Sequence, residues 1–357
     1  MRRIKTATLT FHYVENYGAV AQAYALHKKL INLGYDNDVI NYRSSNLTNP
    51  ISLKSLKHKG IVRYLLGNIY WIVRLFRRPR FNSFRSQMKI TKQVAKHDLK
   101  KLKYDAFIVG SDQVWNHEIT RMDDAYFLAF VKDKGKRNSY AASFGFTKFP
   151  KALKDKFKNY LKLFNTVNVR EHSSITLVKS LNNINASHTV DPTFLMTKKE
   201  WTIVSKKPRF KKKYIFMYQV TTSNKLLDCV RRAKKDLNLS SVSVPFPLGG
   251  FMLSRIDIFA GPKEWLGYIL KSELIITDSF HGVALSIILN KPFKVILTGV
   301  PERIVDLLKI FNLQKHIVTD TNIFLENLSY DWDTVNLKLN KIREHSINQI
   351  NEMLMSK

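Results

Sequence analysis

The sequence predicts an α/β protein with two domains, each built around an open parallel sheet. The chain has 357 residues, and a domain typically takes about 150. Hydrophobic residues make up 45% of it, enough for two cores. Apolar runs of strand length alternate with segments of helical spacing along most of the chain, the pattern of βαβ units that form parallel sheets.

The first βαβ unit lies at the start of the chain. Residues 4–10 have the composition of a strand, residues 19–33 place apolar side chains at helical spacing, and Gly34 fits a helix stop. The next strand is predicted at 38–42. The same alternation predicts further strands at 105–109, 138–142 and 166–169, and a helix at 151–163.

The second half of the chain repeats the alternation. Pro262 and Pro301 fit the first turns of two helices, where the missing N–H has no consequence. The predicted strands are 214–220, 241–245, 273–277 and 293–298, and the helices are 223–236, 262–271, 282–290, 301–311 and 335–356. We therefore predict an N-terminal domain over 1–195, a second domain over 196–334 and a C-terminal helix over 335–357.

Residues 50–103 interrupt this pattern and are predicted as a basic insertion of the N-terminal domain. From Lys54 to Lys103 there are fifteen Lys and Arg and one acid, Asp98, with aromatic residues interleaved. The apolar stretch 61–76 contains two arginines and is shorter than the ~20 residues that cross a bilayer. It favours a basic amphipathic surface helix, either bound to anionic lipid or simply solvated.

The net charge of +31 concerns binding partners rather than fold. It is compatible with nucleic acid, an anionic membrane or phosphorylated substrates. The charge is scattered over both halves, and no nucleic-acid-binding motif is present, so we expect no nucleic-acid partner. The single cysteine, Cys229, excludes an internal disulfide and a cysteine-based metal cluster. No residues have metal-ligand spacing, and neither a Gly-x-Gly-x-x-Gly string nor a P-loop is present, so no metal or cofactor is predicted.

The N-terminus does not have the features of a secretory signal. Arg2 and Arg3 are followed by a short apolar stretch that Lys5 and several threonines interrupt, whereas a signal core needs roughly 7–15 apolar residues. We expect a cytoplasmic protein.

Four loops are candidate binding sites because ligands of open parallel sheets bind beyond the carboxyl ends of the strands. They are Asn16–Gly18, Gly110–Asp112, Arg170–Glu171 and Asp278–Gly282. In the last, a glycine allows close backbone approach and a helix start favours an anion, while His281 can exchange a proton near neutral pH. The alternative is a plain strand–helix turn in which Asp278 and Ser279 cap the helix.

Nine short strings of the sequence form an ordered set. They are Thr8–His12, Asn16–Val20, Gln22–Leu26, Asp105–Asn116, Tyr140–Gly145, Val169–Glu171, Val190–Thr193, Thr277–Gly282 and Asn290–Pro292. Together they resemble the polysaccharide pyruvyltransferase family. The matches are collinear from residue 6 to about 310, and the ordered set is more specific than any one string.

The resemblance implies two Rossmann-like domains facing a cleft, in a glycosyltransferase-B-like arrangement. It also implies transfer from phosphoenolpyruvate, a co-substrate rather than a cofactor, onto two hydroxyls of a sugar as a cyclic pyruvate ketal in cell-surface polysaccharide biosynthesis. By position, Arg170 would hold the donor's carboxylate or phosphate, and His281 would contact the phosphate or act as general acid. The implied donor residues are Arg170, Ser279, His281, Gly282 and Arg303, and the implied acceptor residues are Asn16, Tyr17, Gly18, Ser111, Asp112 and Gln113.

Two points stay open in this comparison. Some family members have arginine at the position of Ser279, so that either Arg303 or Lys291 supplies the cation here or the donor differs. The general base for the sugar hydroxyl is one of Asp112, Glu15 and Glu171.

The neighbouring functional alternative is a sugar-nucleotide glycosyltransferase of the same architecture. Acceptors in polysaccharide assembly are often carried on a lipid diphosphate. We therefore expect a sugar acceptor that can be lipid-linked, and peripheral attachment to the inner face of the plasma membrane through 50–103.

Overall fold

The computed structural model describes residues 2–48, 61–182, 184–221, 223–244, 253–319 and 328–355, without the side chains of 46, 48 and 61–72. Its strands are β1 Lys5–Leu9, β2 Asp36–Val39, β3 Ala106–Val109, β4 Arg137–Ser139, β5 Asn168–Val169, β6 Ser187–His188, β7 Tyr214–Tyr218, β8 Ser240–Ser243, β9 Arg255–Ile256, β10 Leu274–Thr277 and β11 Phe293–Val295. Its helices are α1 Tyr17–Asn32, α2 Ser45–Thr48, α3 Ile61–Arg85, α4 His117–Thr120, α5 Lys154–Leu161, α6 Ser173–Lys179, α7 Lys198–Val204, α8 Asn224–Asp236, α9 Pro262–Lys271, α10 Phe280–Ile288, α11 Glu302–Phe311 and α12 Trp332–Met355.

The chain divides into two compact units. Unit 1 comprises Met1–Asn49, Arg85–Met196 and Asn340–Lys357, and unit 2 comprises Pro50–Phe84 and Thr197–Leu339. Each unit has its own parallel sheet, because each half of the sequence supplies apolar strands followed by amphipathic helices.

In unit 1 the sheet has the strand order β2-β1-β3-β4, and all its pairs are parallel. Parallel bridges continue from Asn138 to Thr166 and from Ala142 to Val169, next to the pair β5 and β6. The order reverses between β1 and β3, so this position is the topological switch point where ligands of such sheets bind.

In unit 2 the strand order is β11-β10-β7-β8-β9, again entirely parallel. The first strand of the unit, β7, is central, and the order reverses between β7 and β10. One face of the sheet packs on α8 through Met217, Leu226 and Val230. On the other face, the rings of Tyr268 and Trp265 from α9 contact Phe216 and Tyr218.

The basic segment is divided between the units, which differs from the predicted insertion of the N-terminal domain. Residues 50–60 lie outside the described residues. Helix α3 is longer than the predicted surface helix, and its last turns contact unit 2. Arg80 lies 3.7 Å from Glu264, and the rings of Phe76 and Phe259 are 5.4 Å apart. These contacts group the segment to Phe84 with unit 2, whereas Arg85 belongs to unit 1.

The C-terminal helix also differs from the prediction, because residues 340–357 group with unit 1. Ile350 and Leu354 of α12 pack in the same apolar cluster as Leu26 and Leu30 of α1. Arg343 Nε donates to the Phe194 carbonyl at 2.8 Å. The predicted boundary at 195 lies one residue from the observed end of this part of unit 1 at Met196.

Most strands and long helices lie within a few residues of their predicted positions, with two informative shifts. Helices α1 and α10 each begin two residues earlier than predicted, at Tyr17 and Phe280. The residues before them, Asn16 and Ser279, cap these helices with their side chains. The short elements α2, α4, α6, α7, β6 and β9 were not predicted. In the part of the chain that the structure describes, no helix is both long and apolar enough to span a membrane.

Candidate active site

The first candidate site is the switch point of unit 1. Thr10 Oγ1 follows β1 and donates to the carbonyl of Ser111, which follows β3, at 2.9 Å. Gln22 Nε2 from α1 donates to Thr10 Oγ1 at 2.9 Å. The two loops at this switch point are therefore joined by hydrogen bonds.

Three predicted acceptor residues lie at the start of α1. Asn16 is exposed, and its Oδ1 accepts from Ala19 N at 3.1 Å as the N-cap. Tyr17 and Gly18 were predicted in the loop but are buried in the first turn of the helix. Of the three, Asn16 is therefore the residue whose side chain solvent can reach.

Arg85 holds the loop that precedes α1. Its Nε donates to the carbonyl of His12 at 2.9 Å. Its Nη2 donates to the carbonyls of Tyr13 and Val14 at 2.8 and 3.0 Å. A guanidinium has five donors in a rigid fork, so one side chain fixes three successive peptides. The sequence did not identify Arg85, because it is one of fifteen basic residues in its segment.

The loop after β3 contains Ser111, Asp112 and Gln113. Asp112 has a φ of 75°, in the left-handed region, and its Oδ1 accepts from Gln113 N at 2.9 Å. Gln113 Oε1 accepts from Asn116 Nδ2 at 2.8 Å. A Cβ on Gly145 would lie 2.1 Å from Gln113 Oε1, so a side chain there would displace Gln113. The loop thus holds Asp112, half-buried, in a defined position.

Arg170 lies in a buried ion-pair network at the carboxyl end of the unit 1 sheet. Its side chain is 1% exposed, with Nε 2.9 Å from Glu171 Oε1 and Nη1 3.3 Å from Asp191 Oδ2. Ser143 Oγ donates to Glu171 Oε1 at 2.8 Å, and Ser111 Oγ donates to Asp191 Oδ2 at 2.9 Å. Burial alone would lower the pKa of Arg170, but the carboxylates of Glu171, Asp191 and Asp112 outweigh it and the pKa is raised.

This network bears on two predicted roles. Glu171 accepts from Arg170 and Ser143 through Oε1, so its carboxylate is engaged rather than available to take a proton from a sugar. Asp112 is less buried, and its carboxylate makes one described hydrogen bond, which it accepts from Gln113 N, so it is the better placed of these two candidate bases. Arg170 lies in unit 1, while the other predicted donor residues lie in unit 2.

The second candidate site is the switch point of unit 2. Asp278, directly after β10, accepts from the N–H groups of Val220 and Thr221 at 2.7 and 2.9 Å. Its carboxylate therefore joins the end of β10 to the turn that follows β7. Burial raises the pKa of Asp278, and these hydrogen bonds partly offset the effect. Asp278 does not cap α10, contrary to the alternative considered from the sequence.

Ser279 and Gly282 form the start of α10. Ser279 Oγ accepts from Gly282 N at 3.3 Å as the N-cap. A Cβ on Gly282 would lie 2.6 Å from Thr277 Oγ1 and 3.0 Å from Tyr218 Cδ1. The glycine was predicted to admit a ligand, but the structure shows that it admits the helix onto its own sheet.

His281 lies in the first turn of α10 and is buried, with its ring edge-on to Phe280 at 5.4 Å. The first N–H groups of a helix have no partner within the helix, and the dipole there favours an anion. Lys291 lies beyond the opposite end of the nine-residue helix α10, which is about 13 Å long, and cannot supply a cation here. Arg303 is half-buried in the first turn of α11.

Among the residues of known placement, no group of three His, Cys, Asp or Glu side chains could hold a metal ion. The side chains at the two switch points are a titratable imidazole, carboxylates, amides and hydroxyls. They can bind an anion, hold hydroxyl groups and transfer protons.

Two parallel-sheet units with switch points at their carboxyl ends define a glycosyltransferase-B-like fold, and solved structures support this. S. aureus MnaA with UDP aligns at a TM-score of 0.56 and 15% identity over 99% of this chain and 97% of that one. UDP-GlcNAc 2-epimerase from Neisseria meningitidis, bound to UDP-GlcNAc, aligns at 0.52 and 13% over 100% of both. At these identities the likeness establishes the fold alone, which confirms the predicted class.

A profile of the polysaccharide pyruvyl transferase family matches residues 16–298. The chain belongs to this family, which confirms the resemblance found in the sequence. No curated protein matches it.

Proposed function

We propose that the protein transfers the enolpyruvyl group of phosphoenolpyruvate onto two hydroxyls of a sugar to form a cyclic pyruvate ketal. Family membership supports an enzyme of pyruvyl transfer. The observation that carries the proposal is the position of His281 in the first turn of α10, beside the switch point of unit 2. There a proton donor meets a helix end that favours an anion.

The start of α10 is the better anion site of unit 2. In the turn after β7, the Asp278 carboxylate already accepts from the N–H groups of Val220 and Thr221. A phosphate there would compete with a buried carboxylate. We therefore assign the phosphate or carboxylate of phosphoenolpyruvate to the first turn of α10, where the helix dipole favours an anion although Gly282 N–H already donates to Ser279 Oγ. Arg303 is the remaining candidate cation.

The proposed reaction needs one acid and one base. His281 protonates the methylene carbon of phosphoenolpyruvate, which becomes a methyl group and leaves an oxocarbenium ion at the adjacent carbon. One sugar hydroxyl adds to that carbon and gives up its proton, for which Asp112 is the candidate base. The second hydroxyl then displaces phosphate, and its proton leaves with the phosphate. The products are the ketal and inorganic phosphate, and no oxidant or reductant is consumed.

The first test measures the release of phosphate from phosphoenolpyruvate in the presence of nucleotide-linked or lipid-linked sugar acceptors. Replacing a general acid typically lowers turnover about 10²- to 10⁴-fold, so we expect His281→Ala to abolish measurable release. His97→Ala is the matched control, because that histidine is 79% exposed in unit 1. Near-wild-type release by His281→Ala would refute the assignment of the acid.

A sugar-nucleotide glycosyltransferase is the second candidate function. The observation in its favour is that similar folds hold UDP or UDP-GlcNAc. Both candidates use the same two switch points, so binding of phosphoenolpyruvate against binding of a nucleotide sugar distinguishes them.

We also propose that the basic segment attaches the enzyme to an anionic membrane surface, where a lipid-diphosphate-linked acceptor would be met. Leu75 and Phe76 of α3 are 47% and 50% exposed, and Arg78 beside them is exposed. Apolar and basic side chains on one exposed helix are typical of interfacial binding, and each Lys or Arg near an anionic surface contributes about 1 kcal/mol.

Co-sedimentation with vesicles tests this attachment. We expect the wild type to sediment with phosphatidylserine-containing vesicles and not with neutral phosphatidylcholine, and Arg78→Glu to weaken the binding. Equal sedimentation with both vesicles would remove the membrane role and leave α3 as a solvated helix.

A further inference from the structure

Two side chains at the carboxyl ends of β7 and β8 have buried polar atoms without hydrogen-bond partners among the described residues. Gln219 directly follows β7 and is 3% exposed, and neither atom of its amide makes a hydrogen bond to the residues that the structure describes. Ser243, the last residue of β8, has a buried Oγ that likewise lacks a partner within the described chain. Native structures contain few such groups, because each one destabilises the fold unless a ligand or water satisfies it.

The two side chains share one face of the sheet. The parallel register places Ser243 beside Met217, and alternation along an extended chain places Gln219 on the same face as Met217. Helix α8 packs on this face through Leu226 and Val230. Gln219 directly follows β7, four residues before the N-cap of α8, Ser223, and Ser243 is the last residue of β8. Both polar groups therefore lie at the carboxyl edge of the sheet, where such sheets bind ligands.

The charge beside Gln219 indicates what such a ligand carries. Val220 and Thr221, the next two residues, donate to the carboxylate of Asp278, which disfavours a second anion at this position. An amide side chain has donors and an acceptor, so its partner must offer both an acceptor and an O–H or N–H. The ionised phosphate and carboxylate of phosphoenolpyruvate offer acceptors only.

We propose that Gln219 and Ser243 form a subsite for a neutral substrate group that both donates and accepts hydrogen bonds. Two sources present that chemistry, the hydroxyl pair of a sugar ring and the amide edge of a nucleobase. The subsite itself does not depend on the proposed function. Only the identification of a bound sugar as part of the acceptor rests on it.

Saturation-transfer NMR with three small probes tests the subsite on the full chain. The probes are methyl β-D-galactopyranoside, uridine and phosphoenolpyruvate. We expect the glycoside or uridine to contact the wild type, and Gln219→Leu to weaken that contact about ten-fold, the change that corresponds to about 1.4 kcal/mol. The contact of phosphoenolpyruvate with the protein should be the same in Gln219→Leu as in the wild type. Gln314→Leu is the matched control, because that glutamine is exposed in the same unit.

Each outcome decides a point. Contact with the glycoside alone identifies the sugar, and contact with uridine alone identifies a base. No contact with either probe, or equal contact in Gln219→Leu, overturns the subsite. If the wild type does not bind phosphoenolpyruvate, that result would contradict the proposed function but would not affect the proposed subsite.

The melting temperature of the ligand-free protein provides a second readout. Leucine is close to glutamine in size and has no polar atoms to satisfy, so Gln219→Leu should raise the melting temperature by about 2–4 °C. Replacing a ligand-binding residue whose polar atoms are unsatisfied in the ligand-free protein is expected to stabilise that protein. A lower melting temperature would show that the amide is satisfied within the chain and would overturn the proposal.

Discussion

The carboxyl ends of the two sheets differ in what their polar side chains contact. In unit 1, Arg170 pairs with Glu171 and Asp191, and serine hydroxyls complete the network. In unit 2, Asp278 is bound by backbone N–H groups, while the side-chain polar atoms of Gln219 and Ser243 have no hydrogen-bond partner among the described residues. The first edge satisfies its charges internally, and the second presents a helix start with a histidine.

This difference assigns separate tasks to the two edges. A buried network of ion pairs and hydrogen bonds holds its backbone in one arrangement, and the loop of Asp112 joins this network through Ser111. We therefore interpret unit 1 as the part that positions groups, and the start of α10 as the part that meets the anion and moves the proton. The three predictions that follow test this division, in order of expected size.

The largest effect is expected from Arg170→Met. Removing one member of a buried ion pair leaves its partners uncompensated, which typically costs 3–5 kcal/mol of the free energy of unfolding, roughly 4 here for two carboxylates. Urea denaturation measures it. The matched control is Arg2→Met, which removes an exposed pair with Asp105 and should cost about 1 kcal/mol or less. A loss below about 1 kcal/mol for Arg170→Met would instead favour its predicted role as a donor-binding residue.

A smaller loss of the free energy of unfolding is expected when His12 is protonated at low pH. Burial lowers the pKa of His12 to about 4, with Arg85 adding to the effect. The unfolded chain takes up the proton near pH 6.5, so stability is full above that pH and is lost as pH falls towards 4, by up to about 3 kcal/mol.

The His12→Gln variant should lose less stability between pH 6.5 and 4 than the wild type, measured by denaturation at each pH. Burial also lowers the pKa of His27 to about 4. The variant should therefore still lose the part of the stability that depends on His27. The exposed His97→Gln serves as control. Parallel pH profiles for His12→Gln and wild type would show that His12 is protonated in the fold.

The smallest effect is expected from Gly282→Ala at the edge of unit 2. The added Cβ meets Thr277 and Tyr218, and overpacking typically costs about 1–3 kcal/mol. Because the clash moves the first turn of α10, turnover should fall as well. Gly135→Ala, which is exposed and meets only Asp133 at 3.3 Å, is the control. An unchanged melting temperature would show that the start of α10 tolerates displacement.

The sequence was sufficient for the fold class because its signals are local. Apolar strands such as 273–277 and helices such as 262–271 follow from spacing and from a proline in the first turn. The four candidate loops followed from one topological rule, and the structure places three of them, Gly110–Asp112, Arg170–Glu171 and Asp278–Gly282, directly after strands. Asn16–Gly18 lies instead at the start of α1, seven residues after β1 ends.

The rest depended on contacts between residues distant in the chain. Arg170 faces Asp191, Asp278 faces Val220, and Arg85 holds His12, which spacing along the sequence does not reveal. The grouping of α3 with unit 2 depends on a contact with Glu264 nearly two hundred residues later. Gln219 gave no signal, because an unsatisfied amide is recognised only once its surroundings are known.

Ligand-dependent thermal stabilisation tests the central claim most directly. A ligand at about a hundred times its Kd stabilises the folded state by roughly 2.7 kcal/mol, which raises the melting temperature by about 4 °C for a chain of this size. We predict that phosphoenolpyruvate gives such a shift in the wild type and a smaller one in His281→Ala. Stabilisation by UDP-N-acetylglucosamine, with none by phosphoenolpyruvate, would contradict the account and favour the glycosyltransferase alternative.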